Sequence, residues 1–319
     1  MTVSTQTIEH VVLAKPRGFC AGVDRAVEII DLAVEAFNPP VYCRKEIVHN
    51  RHVVDNFKAK GVIFVEELAD VPPDATVVFS AHGVSPEVWD QAREKNLHII
   101  DATCPLVTKV HLEVRNFARK GYTILYIGHR AHDEVVGVRG EAPSNVALIE
   151  NVEQAHAVEI DNPGKVACLS QTTLSMDETS DIIDVLRERY PEMVVPTKSD
   201  ICYATQNRQE AVKALAAKVD LVLVLGSENS SNSNRLVDVA RSLGTQAHLI
   251  HDVHDIAPEW LKDAQKIGLT SGASTPEVLV ERIADFLQGR DGARISTLEV
   301  ASEDVTFGLP RELLEHKTA

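Results

Sequence analysis

The stretch PRGFCAGVDRAVEII, residues 16–30, places Cys20 between an apolar run and a segment with helical periodicity. This pattern predicts a β-strand, a turn that carries the thiol, and then an α-helix. The same order recurs around Cys104 in LHIIDATCPLVTKVHLEV and around Cys202 in MVVPTKSDICYATQNRQEAV, where we expect the strand at MVV. Because cysteine is often a small core residue, three small residues at tight turns remain the alternative to a shared role.

The other two cysteines lie in a different context. Cys43 in VYCRK and Cys168 in KVACLS fall inside short apolar runs. Such runs are typical of buried strands. We therefore expect both thiols in strand cores and not at a site.

Composition limits the class of protein. Of the 319 residues, 44% are hydrophobic and 25% charged, with a net charge of −15, which argues against nucleic acids and anionic membranes as partners. No apolar run approaches the roughly 18 residues of a membrane-spanning helix, and MTVSTQTIEH lacks the apolar core of a signal peptide. An odd number of widely spaced cysteines favours reduced thiols, so we expect a cytoplasmic protein.

A larger unit repeats along the chain. Each copy alternates apolar runs with helical patterns and carries polar loops after its strands, which predicts α/β units with mainly parallel sheets. We place these units at residues 10–104, 105–199 and 200–290, followed by a C-terminal tail at 291–319. Ligands bind at the carboxyl ends of parallel strands.

A pseudo-threefold packing of the units would bring the three cysteine loops together. Three thiolates at its centre could hold a metal. The closely spaced cysteine pairs of zinc ribbons and ferredoxins do not occur here. Spacing alone therefore leaves open both a metal site and three structural turns.

The residues around the cysteines carry a family resemblance. GFCAGVDRA, DATCPLVTKVH and DICYATQNRQEAV occur in order with EIVHNRHVVD, FSAHGVS, QTTLS, GSENSSNSNRL and SGAS. Over residues 10–290 this set closely resembles the 4-hydroxy-3-methylbut-2-enyl diphosphate reductase family. The resemblance implies a trefoil of three α/β units around a 4Fe-4S cluster. It also implies three cysteine ligands, at positions matched by Cys20, Cys104 and Cys202, and one iron without a cysteine ligand.

The resemblance also implies catalytic residues. Glu134 in AHDEVVG matches the proton source, and His132 lies in the same loop. Thr172 in QTTLS would bind the substrate hydroxyl and pass a proton from Glu134. From the residues alone, Glu134 also fits a solvated loop carboxylate and Thr172 a helix N-cap.

The implied diphosphate site consists of polar residues, several of them at predicted helix starts. They are His49, His82, His132, Thr172, Thr205, Ser230, Ser231, Asn232 and Ser274. Helix N-termini favour anions through their N–H groups and dipole. Helix capping and neutral core histidines are the alternatives.

The implied reaction replaces an allylic hydroxyl by hydrogen and gives isopentenyl and dimethylallyl diphosphates. No dinucleotide or P-loop motif appears, so we expect electrons from a protein donor such as ferredoxin or flavodoxin. Other functions remain open: a dehydratase that needs no reductant, a cluster-bearing sensor without catalysis, and a zinc site on the same cysteines.

Overall fold

The structure, a computed structural model, describes residues 7–37 and 39–317. These residues form parallel strands that alternate with helices along most of the chain. The strands are β1 (His10–Lys15), β2 (Val41–Arg44), β3 (Val62–Val65), β4 (Thr76–Phe79), β5 (His98–Asp101), β6 (Thr123–Ile127), β7 (Val146–Ile149), β8 (Val166–Ser170), β9 (Leu221–Leu225), β10 (Gln246–Ile250), β11 (Lys266–Ser271) and β12 (Arg294–Glu299). The α-helices are α1 (Ala21–Phe37), α2 (Arg51–Ala59), α3 (Pro86–Glu94), α4 (Pro105–Arg119), α5 (Asp133–Glu141), α6 (Val152–Ala157), α7 (Met176–Arg189), α8 (Tyr203–Ala216), α9 (Ser231–Ser242), α10 (Glu277–Asp291) and α11 (Arg311–Lys317).

The described residues divide into two compact units. The first contains residues 7–20, 49–53 and 203–305. The second contains the remaining described residues, up to 317. None of the helices in the described ranges has both the length and the apolar character that crossing a membrane requires.

The first unit is built on one five-stranded parallel sheet, ordered β10-β9-β11-β1-β12. Strand β9 is a run of branched apolar residues, LVLVL, and is buried throughout. Such continuous burial is expected where a parallel sheet is covered on both faces. One apolar cluster contains α10 residues, and another contains residues of α8 and α9.

The pairing of β1 differs from the contiguous units expected from the pattern. This strand is the first one in the described residues, but it pairs with β11 and β12, and β12 lies in the segment expected to be a tail. Pairing between distant segments depends on tertiary contacts, which local periodicity does not record. The boundaries 10–104, 105–199 and 200–290 themselves remain a prediction.

The second unit contains two parallel sheets, ordered β3-β2-β4-β5 and β7-β6-β8. Helices α4 and α5 pack on the second of these sheets through Val110, Val114, Val135 and Val138. The predicted α/β class with parallel sheets is confirmed, and the described residues form three such sheets.

The prediction of a strand before Cys202 is wrong. The segment MVV makes only an isolated parallel bridge, between Val194 and Ala167. Pro191 and Pro196 flank it, and proline cannot donate the backbone N–H that a strand ladder needs. Cys202 is therefore presented by a loop that follows a single bridge.

Candidate active site

Each of the three predicted ligand cysteines directly precedes a helix. Cys20, Cys104 and Cys202 come one residue before α1, α4 and α8, and all three are partly exposed. The partial positive charge of a helix N-terminus stabilises a thiolate. These positions therefore favour the deprotonated sulfur that binds metals.

The other two thiols have a contrasting environment. Cys43 and Cys168 are buried in β2 and β8, as predicted. Burial raises the pKa of Cys43 far above its ordinary value and that of Cys168 to about 12. Neutral, enclosed thiols are poor ligands. By this contrast, the residues present fit a metal group held by the three cysteines at helix starts.

Glu134 lies in the first turn of α5 and is almost completely buried. Its Oε1 accepts a hydrogen bond from the backbone N–H of Thr172 at 2.8 Å, and its Oε2 accepts one from the Thr172 hydroxyl, also at 2.8 Å. The alternative of a solvated loop carboxylate is wrong. The alternative of Thr172 as a helix N-cap is wrong as well, because Ser175 caps α7 and Thr172 binds Glu134.

The environment of Glu134 favours a protonated acid. Burial raises its pKa to about 7 from an ordinary 4.5, while the two hydrogen bonds from Thr172 act in the opposite direction. The charge of Asp200 adds to the increase. A carboxyl with such a pKa exchanges protons near neutral pH, which suits a general acid.

Thr172 also joins this acid to a cysteine loop. Its carbonyl oxygen accepts a hydrogen bond from the backbone N–H of Cys202 at 3.0 Å. One residue thus contacts both the predicted proton source and the backbone of a predicted ligand.

Sequence reasoning missed an ion pair behind this loop. Asp200, whose side chain is only 3% exposed, accepts a hydrogen bond from Lys109 Nζ at 2.7 Å and from the Ser170 N–H at 3.0 Å. Lys109 lies on α4, the helix that begins after Cys104. The pair therefore connects the helix that follows one cysteine to the loop that presents another.

Two of the predicted histidines approach each other at strand ends of the second unit. The rings of His82, after β4, and His132, after β6, lie 5.7 Å apart edge to face. Nδ1 of His132 accepts a hydrogen bond from the Glu134 N–H at 3.2 Å. A neutral ring that accepts at Nδ1 carries its proton on Nε2, which can donate to an anion.

In the first unit, the predicted polar run forms the start of α9. Ser230 is the N-cap and accepts a hydrogen bond from the Ser233 N–H, and Ser231 and Asn232 occupy the first turn. Asn232 is buried, yet neither amide atom has a hydrogen-bond partner among the described residues. A buried amide without partners is costly, so this one fits a ligand contact better than a structural role.

Glycines bring the strand ends close to this helix start. A Cβ on Gly226 would lie 2.2 Å from Ser233 Oγ, and one on Gly272 would lie 2.1 Å from the same atom and 3.0 Å from Asn232 Nδ2. At Gly226 the added Cβ would also lie 2.4 Å from Ser233 Cβ, which cannot rotate away, so a larger residue there would disturb the packing of α9 on the sheet.

His49 and Ser274 meet in the first unit. The Ser274 hydroxyl donates to the carbonyl oxygen of His49 at 3.0 Å, and Asn229 Nδ2 lies 3.3 Å from His49 Nδ1. Ser274 precedes α10 by several residues, so it does not begin that helix as expected. Thr205 is buried in the first turn of α8.

The predicted site residues thus belong to both units. The first unit holds Cys20, His49, Thr205, Ser230, Ser231, Asn232 and Ser274. The second holds Cys104, Cys202, Glu134, Thr172, His82 and His132. The meeting of all three cysteines at one centre remains a prediction.

The chain shows close similarity to known proteins. A family model described as LytB protein matches residues 11–288. The 4-hydroxy-3-methylbut-2-enyl diphosphate reductase of Nocardia farcinica is 53% identical over 313 residues, covering 98% of this chain and 93% of that protein. The solved E-1-hydroxy-2-methyl-but-2-enyl-4-diphosphate reductase from Plasmodium falciparum has a TM-score of 0.95 and 38% identity, covering 98% of both chains.

A second solved structure is more distant. It is an (E)-4-hydroxy-3-methyl-but-2-enyl diphosphate reductase, called the terminal enzyme of the non-mevalonate pathway. Its TM-score is 0.62 and its identity 30%, covering 88% of this chain and 100% of that one. The match to the family model and the similarity to these reductases span nearly the whole chain, so the resemblance in the motifs is confirmed: the chain belongs to the LytB protein family and is an oxidoreductase enzyme.

Proposed function

We propose that this chain removes the hydroxyl group of (E)-4-hydroxy-3-methylbut-2-enyl diphosphate and forms isopentenyl and dimethylallyl diphosphates. The proposal is supported by the names of the similar reductases and by one observation above all. That observation is a carboxyl group, Glu134, whose pKa of about 7 and whose hydrogen bonds to Thr172 suit an acid next to the Cys202 loop.

The reaction needs two electrons and two protons. The carbon–oxygen bond breaks, the oxygen leaves as water with one proton, and a new carbon–hydrogen bond takes up the other proton. Protonation at either end of the allylic system gives the two isomers. When bound by Cys20, Cys104 and Cys202, a 4Fe-4S cluster would supply the electrons and a Lewis-acidic iron without a cysteine ligand.

Glu134 is the proposed proton source. Hydroxide is a poor leaving group, so a proton on the departing oxygen lowers the barrier, as general acids do. The two hydrogen bonds from Thr172 fix the plane of the Glu134 carboxyl group. In this proposal the Thr172 hydroxyl turns toward the substrate and relays the proton, and burial of both residues keeps water from competing for it.

The polar residues provide donors for the diphosphate. Asn232 offers an unsatisfied buried amide, and the first turn of α9 offers backbone N–H groups and the helix dipole. His132, with its proton on Nε2, and His82 add donors at the strand ends of the second unit. His49, Thr205, Ser230, Ser231 and Ser274 complete the proposed set.

The reaction takes up two electrons, and the sequence carries no dinucleotide or P-loop motif, so we propose a one-electron protein carrier, ferredoxin or flavodoxin, as partner. The odd number of widely spaced cysteines favours reduced thiols, so we propose the cytoplasm as location.

The test is anaerobic turnover. Protein purified without oxygen is mixed with the hydroxylated diphosphate and a reduced viologen dye, and dye oxidation and products are measured together. Substrate-dependent oxidation with both isomeric diphosphates is expected. Substrate loss that needs no reductant would indicate a dehydratase, and an intact cluster with no substrate loss would indicate a sensor; either result would contradict the proposal.

A further inference from the structure

Arg208, on α8, is fully buried, which is rare for arginine. Its Nη2 donates to the carbonyl oxygens of Gly18 at 2.8 Å and Phe19 at 3.5 Å. These are the two residues before Cys20. Its Nη1 donates to both carboxylate oxygens of Glu303, at 3.0 and 3.2 Å.

The loop before Cys20 is therefore held on both sides. The N–H of Gly18 donates to Ser271 Oγ at 2.8 Å, and the N–H of Cys20 donates to the carbonyl of Ala273 at 3.2 Å. The guanidinium of Arg208 binds the carbonyl side of the same turn. Gly18 has a φ of +73°, which a residue with a side chain rarely adopts, so this turn requires glycine.

A second arginine makes the same kind of contact in the other unit. Arg25 Nη1 donates to the carbonyl oxygen of Thr103 at 2.9 Å, one residue before Cys104. Its Nε donates to the carbonyl oxygen of Gly308 at 2.8 Å. Partial burial lowers the pKa of Arg25, and the negative charges of Asp101 and of a Cys104 thiolate oppose that decrease.

Both arginines are held by the same stretch of chain. Glu303 and Gly308 lie after β12, outside the range over which the motifs carried the family resemblance. Residues 300–310 form no strand or helix, yet the side chain of Glu303 is only 13% exposed and also accepts a hydrogen bond from Asn207 at 3.0 Å. A buried arginine whose carboxylate partner is removed keeps an uncompensated charge, which is strongly unfavourable.

We propose that residues 303–308, here called the C-terminal strap, position two of the cysteine loops. Glu303 holds Arg208 against the turn before Cys20, and the Gly308 carbonyl holds Arg25 against the turn before Cys104. Arg208 and Arg25 are positioning residues for the thiolates. This inference rests on the proposed function, because it takes Cys20 and Cys104 as cluster ligands.

The test compares two carboxylates near the C-terminal end of the chain. Glu303→Gln keeps the shape of the side chain and removes its charge. Glu299→Gln is the matched control, because Glu299 pairs with Lys15 at 3.0 Å on the surface, where the glutamate side chain is 56% exposed. The anaerobic holoenzymes are mixed with an iron chelator, and the rate of iron release and the electron paramagnetic resonance spectrum of the reduced protein are recorded.

We expect Glu303→Gln to release iron about tenfold faster than the wild type and to change the spectrum, because the pair it breaks is buried. Glu299→Gln should match the wild type. Arg25→Met, at a half-buried position, should also accelerate iron release, and Arg25→Lys should bring the rate part of the way back to that of the wild type. If Glu303→Gln fails to fold, these two Arg25 variants test the proposal.

Two results would overturn the inference. One is wild-type release and spectrum in Glu303→Gln and Arg25→Met. The other is lower thermal stability of the cluster-free variants without faster release from the holoenzymes, which would mean a purely structural role. Wild-type protein that never binds iron and sulfide would contradict the proposed function itself. If the wild type binds both and the variants release iron at the wild-type rate, only the proposed role of the C-terminal strap is contradicted.

Discussion

Replacing Glu134 by Gln should remove a pH-dependent cost from the folded state. The carboxyl has a pKa of about 7 when buried and 4.5 ordinarily, so between these values the folded chain keeps a proton that the unfolded chain has released. At about 1.4 kcal/mol per pKa unit, ionised Glu134 costs the folded state about 3 kcal/mol above pH 7. The stability of the folded wild type is therefore unaffected by Glu134 below about pH 4.5, where both states are protonated, and this part of the stability is lost as the pH rises through 7.

Glutamine fits the same hydrogen bonds without ionising. Its carbonyl can accept from the Thr172 N–H, and its amide can donate to the Thr172 hydroxyl, in place of the two bonds at 2.8 Å. The stability of Glu134→Gln relative to the wild type should therefore rise between about pH 5 and about pH 7 and level off about 3 kcal/mol higher. Glu153→Gln, at an exposed position of α6, is the control and should show no such rise.

The assay is urea unfolding of the reduced, cluster-free protein across this pH range. The chain has two tryptophans, Trp89 in the second unit and Trp260 in the first. A Trp260→Phe background makes fluorescence report on the unit that contains Glu134. In parallel, wild-type kcat/KM should fall about tenfold per pH unit above about pH 7, where the acid loses its proton.

A stability difference that does not change with pH would refute the buried-acid interpretation. Full turnover of Glu134→Gln in the holoenzyme would refute the proposed role of Glu134 as proton source, since an amide cannot donate the proton.

Three further predictions concern the residues around the acid and the proposed anion site. Thr172→Val should raise the pKa of Glu134 further and lower kcat about tenfold, with recovery in Thr172→Ser, because the hydroxyl bond to the carboxylate is lost; pH profiles identical to the wild type would contradict this. Asn232→Ala should raise KM about tenfold and leave the free energy of unfolding nearly unchanged, because its amide has no partner among the described residues; clear destabilisation with normal KM would show a structural role. Lys109→Met should lower the free energy of unfolding by about 2 kcal/mol, because it leaves the buried carboxylate of Asp200 without its cation. Lys58→Met removes the cation of an exposed pair with Asp55 and should lower it by under about 0.5 kcal/mol. Equal effects in urea unfolding would refute the importance of the Lys109–Asp200 pair for stability.

The local features of the site were predictable from the sequence. Cys20 and Cys104 follow strands and precede helices, and both signals are short-range patterns of apolar periodicity and turn residues. Cys43 and Cys168 were recognisable as strand-core residues for the same reason. The wrong prediction of a strand at MVV before Cys202 also has a local cause, because the prolines on either side disfavour a strand.

The long-range features were not predictable. Nothing in HVVLAK indicates that β1 pairs with β11 and β12, since any parallel strand would have that pattern. The paired residues Lys109–Asp200 and Arg208–Glu303 are ordinary charged residues in the sequence. The pairs become distinctive only when the fold buries Asp200 and Arg208, where an unpaired charge would be costly.

The most direct test of the cluster assignment is iron and acid-labile sulfide, measured per chain in anaerobically purified wild-type protein and in five single Cys→Ala variants. We expect about four of each in the wild type. We expect a large loss of both in Cys20→Ala, Cys104→Ala and Cys202→Ala, and normal content in Cys43→Ala and Cys168→Ala. Normal content in any of the first three, or loss in a folded Cys43→Ala protein, would contradict the assignment of the cluster ligands.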